Sequence, residues 1–147
     1  MRTIALRFAD HFAPPEGTIK AHESIIHEKG FVWYGKIGAG LSEKTKGMIL
    51  NNLPPRILLI HSGRTDRYWA YITEIQKEKP PEQFIPKYYA DKYDKVGVWF
   101  CITSLQKASP DIVGRCKLVS SGATLTEASR KNMNPLFIID YTEEKET

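Results

Sequence analysis

The chain has 147 residues, of which 41% are hydrophobic and 26% charged, with a formal net charge of +4 and an isoelectric point near 9.0. That length supports one packed core. No stretch approaches the ~20 apolar residues of a bilayer-crossing helix, and Met1 to Ala9 alternates in a way no secretory leader does, so a cytoplasmic protein with no membrane partner is expected. The acidic stretch "DYTEEKET" at the C-terminus leaves the rest of the chain more basic than the total. A basic body with 11% aromatic residues suits nucleic-acid binding without requiring it.

"TIALRFA" alternates Ile4, Leu6 and Phe8 against Thr3, Ala5 and Arg7, as a strand does. "HFAPPEG" reads as a loop fixed by Pro14 and Pro15. Thr18 can cap a helix that runs to about Lys29, with Ile19, Ala21, His22, Ile25 and Ile26 as its inward stripe and Gly30 as its stop. "FVWYGKI" is a second strand. Ser42 caps a short helix that "NNLPP" ends. "RILLIHS" is apolar enough for a central strand, and "RYWAYITEI" pairs with it as a hairpin whose loop carries Arg64 and Arg67.

The segment from Lys77 to Lys95 is too long for a plain connection, so it is functional or holds short helical turns. "VGVWFCITSL" and "RCKLVSS" are further strands. Thr124 and Glu127 form a capping box before the last helix, and "PLFIIDY" closes the fold. Strands outnumber helices, and the hairpin is antiparallel. The expected class is α+β: a curved, mixed, mostly antiparallel sheet or small open barrel flanked by about three helices. It forms one domain over residues 1–141, with residues 142–147 as an acidic tail or linker.

Catalytic and metal patterns are missing from the sequence. His22 and His27 are five apart and miss the i, i+4 spacing of two ligands on one helix face. All four histidines read as surface or capped residues. Cys101 and Cys116 lack Cys-x-x-Cys spacing and sit among apolar residues, which fits buried free thiols in a reducing compartment, with a disulfide between them as the alternative. "GKIGAG" is neither a Walker loop nor Gly-x-Gly-x-x-Gly, because Ile37 follows Lys36. Its glycines mark a turn, and Lys36 is left as a phosphate contact. No cofactor is expected, and the chain reads as a binding domain rather than an enzyme.

Aromatic residues carry the functional signal. Trp33, Trp69 and Trp99 fall on three separate strands, where packing is the ordinary role. "FIPKYYADKYDK" differs: Tyr88, Tyr89 and Tyr93 alternate with Lys87, Lys92 and Lys95, where there are too few aliphatics for a core. Flat rings beside cations are what stacking on a base next to a phosphate requires; a loop pinned to the core by its tyrosines is the alternative.

The succession "LRFAD", helix, "VW" strand, short helix, "LLIHSG", "YWAYITEI", Tyr/Lys loop, "VGVWFCITSL" and "SSGATLTEASRKNM" resembles the YTH and EVE branch of the PUA-like superfamily, over most of the chain. In that branch an aromatic cage holds a modified or flipped base. The resemblance implies Trp33 as the first cage wall, with Tyr34 beside it, and a second wall among Tyr88, Tyr89 and Tyr93; a tryptophan is missing from that loop. It implies Asp10 and Arg7 near the base and backbone and Arg130 and Lys131 in a backbone-contacting segment; the basic loops and the turn after the second strand offer Lys36, Arg64, Arg67, Lys87, Lys92 and Lys95 as further backbone contacts. It also implies recognition of a methylated base, N6-methyladenine or a modified cytosine, flipped out of DNA. Such a module would serve a restriction system and be fused to or associated with a nuclease or NTPase. An RNA-binding PUA-like module and a protein-interaction domain with no nucleic-acid role are the alternatives.

Overall fold

The computed structural model describes residues 1–142, so the expected tail lies outside the described residues except for Thr142. The elements follow the expected order: β1 (Arg2–Phe8), α1 (Thr18–Lys29), β2 (Val32–Ile37), α2 (Glu43–Leu50), β3 (Arg56–His61), β4 (Arg67–Gln76), β5 (Val96–Lys107), β6 (Cys116–Leu118), α3 (Leu125–Lys131) and β7 (Leu136–Tyr141). Short 3-10 turns at Glu82–Phe84, Lys87–Tyr89 and Tyr93–Lys95 fill the long segment before β5. Another, Ile112–Arg115, precedes β6.

Local chemistry sets the helix ends. Thr18 is the first residue of α1 rather than its cap, and its amide donates to Asp10 Oδ1 at 2.9 Å. Gly30 ends the helix at φ 93°, a left-handed conformation that costs glycine nothing. Ser42 Oγ accepts the Thr45 amide at 3.1 Å, and Thr124 Oγ1 accepts the Glu127 amide at 3.3 Å, so both side-chain caps act as their spacing predicts.

The strands form one seven-stranded sheet in the order β2-β5-β4-β3-β1-β7-β6. β1 runs parallel to β3, and the other neighbours are antiparallel. The register between β4 and β5 shifts between Tyr71 and Ile72 and again before Glu74. Such bulges bend a strand and tighten its twist. The sheet is therefore mixed, mostly antiparallel and curved, and the three helices make this an α+β fold.

Strand alternation divides the interior. Ile4, Leu6, Phe8, Val32, Tyr34, Val98 and Phe100 share one core with α1 and α2. Ala5, Leu58, Ile60, Trp69, Phe137 and Ile139 face the other way and pack under Leu125 of α3 and under Ile112 and Val113. A third layer, Trp33, Trp99 and Cys101, is roofed by Phe84, Ile85, Tyr89 and Tyr93 of the long segment. After β2 the chain passes hard against the start of β5: a Cβ on Gly97 would overlap the Gly38 carbonyl, and one on Gly40 would lie 2.8 Å from the Gly97 carbonyl. The glycines around Lys36 thus serve close packing and, at Gly38 with φ 97°, a turn.

Candidate nucleic-acid interface

β2 is an edge strand whose outer groups need partners. The long segment wraps that edge. The Tyr89 hydroxyl accepts the Gly35 amide at 3.3 Å and donates to the Gly35 carbonyl at 3.1 Å, closing both free backbone groups with one side chain. Gly35 is required on its other side too, because a Cβ there would lie 2.8 Å from the Trp99 ring. Tyr88 stacks on Tyr89 with ring centroids 4.5 Å apart.

A cavity of about 250 Å³ opens where this wrapped edge meets the C-terminal end of β1. β1 and β2 both border it although three strands separate them in the sheet, a consequence of the sheet's curvature. Its walls include Tyr34, Tyr88 and Tyr89, and three cations, Arg7, Lys36 and Lys92, line it without any carboxylate. Burial pushes the Tyr34 hydroxyl up from its ordinary pKa, and Tyr88 adds to the shift. Burial likewise raises Tyr88 and Tyr89, so these hydroxyls stay protonated as hydrogen-bond donors.

His22 lies behind the tyrosine walls, and His61, half-buried, sits beside Phe8 and Asp10. His22 is 1% exposed, with its ring 5.2 Å from that of Tyr34 and near both Tyr88 and Tyr89. Its Nδ1 donates to the Thr18 carbonyl at 2.8 Å, which leaves Nε2 as a bare acceptor with no partner among the described residues. Burial lowers its pKa to about 4, so the ring is neutral. His61 accepts the Gly63 amide on Nδ1 at 3.0 Å and so donates from Nε2 to Asp10 Oδ2 at 2.7 Å.

The placement of the expected residues is mixed. Tyr34, Tyr88, Tyr89, Lys36, Lys92 and Arg7 come together at the cavity. Trp33 does not stand at its rim. It is 5% exposed in the layer with Trp99 and Cys101, because neighbours on a strand point to opposite faces. Tyr93 packs on Trp99 with the Lys79 ammonium over its ring, also away from the cavity. Asp10 is not among the lining residues; its carboxylate is engaged by Thr18 and His61. Burial opposes its ionisation, but the Thr18 amide and the His61 ring prevail and lower its pKa.

The cations divide as well. Lys36 Nζ donates to the Ala39 carbonyl at 2.8 Å, and burial lowers its pKa. Lys92 sits 4.6 Å from the centre of the Phe12 ring. Arg64, Arg67 and Arg130 do not reach the cavity; they line an adjoining concavity of about 540 Å³ that Arg7 also borders. Lys87, Lys95 and Lys131 are exposed and line neither.

Phe12, Thr18 and Ile37 also line the cavity, and the sequence reading did not place them there. Phe12 is 59% exposed, an aromatic held at the mouth by the loop after β1. Its only sequence signal is a phenylalanine in a proline-anchored loop.

Elsewhere, on the face beneath α3, the Arg56 guanidinium lies 4.2 Å from the centre of the Trp69 ring, with Tyr71 and Tyr141 close by. Cys101 and Cys116 are buried free thiols in different layers, and burial pushes the Cys116 thiol up to about 12. Among the described residues no group of three or more histidine, cysteine or acidic side chains is placed to hold a metal ion. No helix among them is long and apolar enough to cross a membrane.

The curved, mixed seven-stranded sheet with three helices is an α+β architecture consistent with a PUA-like domain. A family model described as Pua-like matches residues 4–143, and the chain belongs to that family. Such domains are typically binding modules, and membership points to nucleic-acid binding in general. No curated protein and no solved structure matches the chain.

Proposed function

We propose that this protein is a YTH- or EVE-like reader that takes one modified, methylated base of DNA into the cavity bounded by Tyr34, Tyr88 and Tyr89. It would act as the specificity module of a modification-dependent restriction system, with any nuclease or NTPase fused or associated. The observation that carries this reading is the cavity itself: three tyrosines and three cations, of which Lys92 is paired with Asp91 at 2.8 Å, around a space of about 250 Å³. That volume lies below the usual range for drug-sized ligands and suits a single ring system.

Discrimination follows from the walls. A methylated amino group has lost a donor and gained an apolar methyl. Burying that methyl contributes roughly 0.8 kcal/mol, about fourfold in affinity, before any contact with the ring faces. Extruding the base from a duplex costs a few kcal/mol. Attraction between the strand and the rim cations, Lys36 and Lys92, offsets part of that cost and should weaken as salt rises.

Titration of a methylated duplex, its unmethylated twin and a matched RNA at two salt concentrations tests the reading. Preference for the methylated duplex by fourfold or more is expected, abolished in Tyr88→Ala and retained in Trp33→Ala at temperatures where that variant is folded. Equal binding of the two duplexes would remove base recognition. Tighter binding of the RNA would move the reading to an RNA module, and salt-insensitive or absent binding would favour a protein-interaction domain.

A further inference from the structure

We propose that the concavity beside the cavity is a phosphate site, and that it holds the phosphodiester flanking the base in the cavity. The inference rests on the reading above for its choice of strand. Its physical basis is separate.

Four arginines converge on this concavity from distant parts of the chain: Arg7 from β1, Arg64 and Arg67 from the β3–β4 hairpin, and Arg130 from α3. No aspartate or glutamate lines it, and among the described residues none of the four makes a salt bridge. Arg2, by contrast, is paired with Asp140 at 2.9 Å. Like charges gathered without counter-ions repel one another, and an anion among them removes the repulsion.

Two of the four are fixed in place without being neutralised. Arg7 donates to the carbonyls of Ser129 and Asn132, each at 2.6 Å, and of Asn134 at 3.0 Å. These carbonyls lie in the last turn of α3 and just beyond it, where a cation is favoured. Arg67 donates to the Thr65 carbonyl at 2.8 Å. Carbonyl acceptors orient a guanidinium but leave its charge, so the positive field is set before a ligand arrives. Arg64 and Arg130 are exposed and able to close on one. Ser62, Thr65, Thr126 and Ser129 also border the space, and hydroxyls beside guanidinium groups are the usual partners of phosphate oxygens.

Arg7 borders both sites, so they share a wall. A strand whose base enters the cavity can lay a neighbouring phosphate against the arginines. This distinguishes the arginine site from a diffuse basic surface, and it predicts a contribution independent of what base is offered.

The test is binding of an oligonucleotide with one abasic site, measured across a salt series. The variants are Arg64→Ala with Arg130→Ala, Tyr88→Ala, and a control, Lys20→Ala with Lys44→Ala, which removes the same charge elsewhere. Each lost phosphate contact lowers the slope of log affinity against log salt by about 0.7–0.9. The arginine pair is expected to lower it by roughly one to two, equally for methylated, plain and abasic strands. Tyr88→Ala and the lysine pair should leave the slope near that of the unaltered protein. An unchanged slope in the arginine pair, or an equal drop in the lysine pair, would overturn the site. Arginine-dependent binding of a nucleoside 5′-monophosphate as tight as that of the oligonucleotide would overturn its assignment to a strand. Equal affinity for methylated and plain strands would sink base recognition alone, with the slope still readable.

Discussion

Two aromatic groups on this molecule have the same parts and opposite states. Beneath α3, Trp69, Tyr71 and Tyr141 surround a cation that the chain itself supplies, the guanidinium of Arg56. At the wrapped edge of β2, Tyr34, Tyr88 and Tyr89 border a space of about 250 Å³ with cations on its rim and none at its centre. In the first group the cation faces the rings at 4.2 Å from the nearest centroid, with Arg56, Tyr71 and Tyr141 bordering a concavity on their outer side. In the second the rings are braced from behind, Tyr89 by the Gly35 backbone and Tyr34 by His22. Rings held firm around a space are suited to a ligand, whereas rings closed on a side chain are suited to stability. Aromatic content alone does not separate the two; what fills the middle does.

Acid should break the comparison most strongly. The folded protein holds His22 neutral with a pKa of about 4, against 6.5 for a free ring. Between those values the unfolded chain binds a proton that the folded chain does not, so stability rises with pH across that window. The contribution is complete above pH 6.5 and is lost as pH falls towards 4, by roughly 3 kcal/mol at most. Chemical denaturation at pH 7.5 and pH 5 should show the loss in the unaltered protein and a flatter dependence in His22→Phe. The same dependence in both would show that His22 is not the group responsible.

Emptying the filled box comes next. Arg56→Ala removes the cation from three rings and is expected to cost roughly 1–2 kcal/mol in denaturant unfolding, with no change in oligonucleotide affinity. Lost affinity with intact stability would make the box a binding element and dissolve the contrast. Tyr88→Ala breaks one stacked pair worth about 0.5–1.5 kcal/mol beyond the burial it gives up and should remove the preference for a methylated base.

Much of the fold was legible because its signals are local. Ser42 and Thr124 cap helices at the spacing their hydroxyls dictate, Gly30 stops α1, and alternation marks β1 and β7. The parallel pairing of β1 with β3 is a long-range fact that no local pattern contains. The site was legible by composition and not by side. Trp33 and Tyr34 are neighbours and both are buried, and only tertiary structure decides which of them borders a cavity: the long segment roofs the Trp33 face, while Tyr34 on the other face forms part of the cavity wall. Arg7 looked like a ligand contact, and its bonds to three carbonyls emerge only once α3 is folded beside β1. His22 falls on the inward stripe that the spacing of α1 marks, but its packing against Tyr34, Tyr88 and Tyr89 depends on residues from elsewhere in the chain.

The most direct test of the central claim is a chemical-shift map. An oligonucleotide carrying a single N6-methyladenine is added to isotope-labelled protein, and the methyl resonances of Leu6, Thr18 and Ile37, all on the cavity wall, are followed beside those around the Arg56 box. Large shifts at the cavity methyls, with the box unmoved and a weaker response to the unmethylated strand, are the predicted result. Shifts confined to the box, or identical responses to the two strands, would contradict the account.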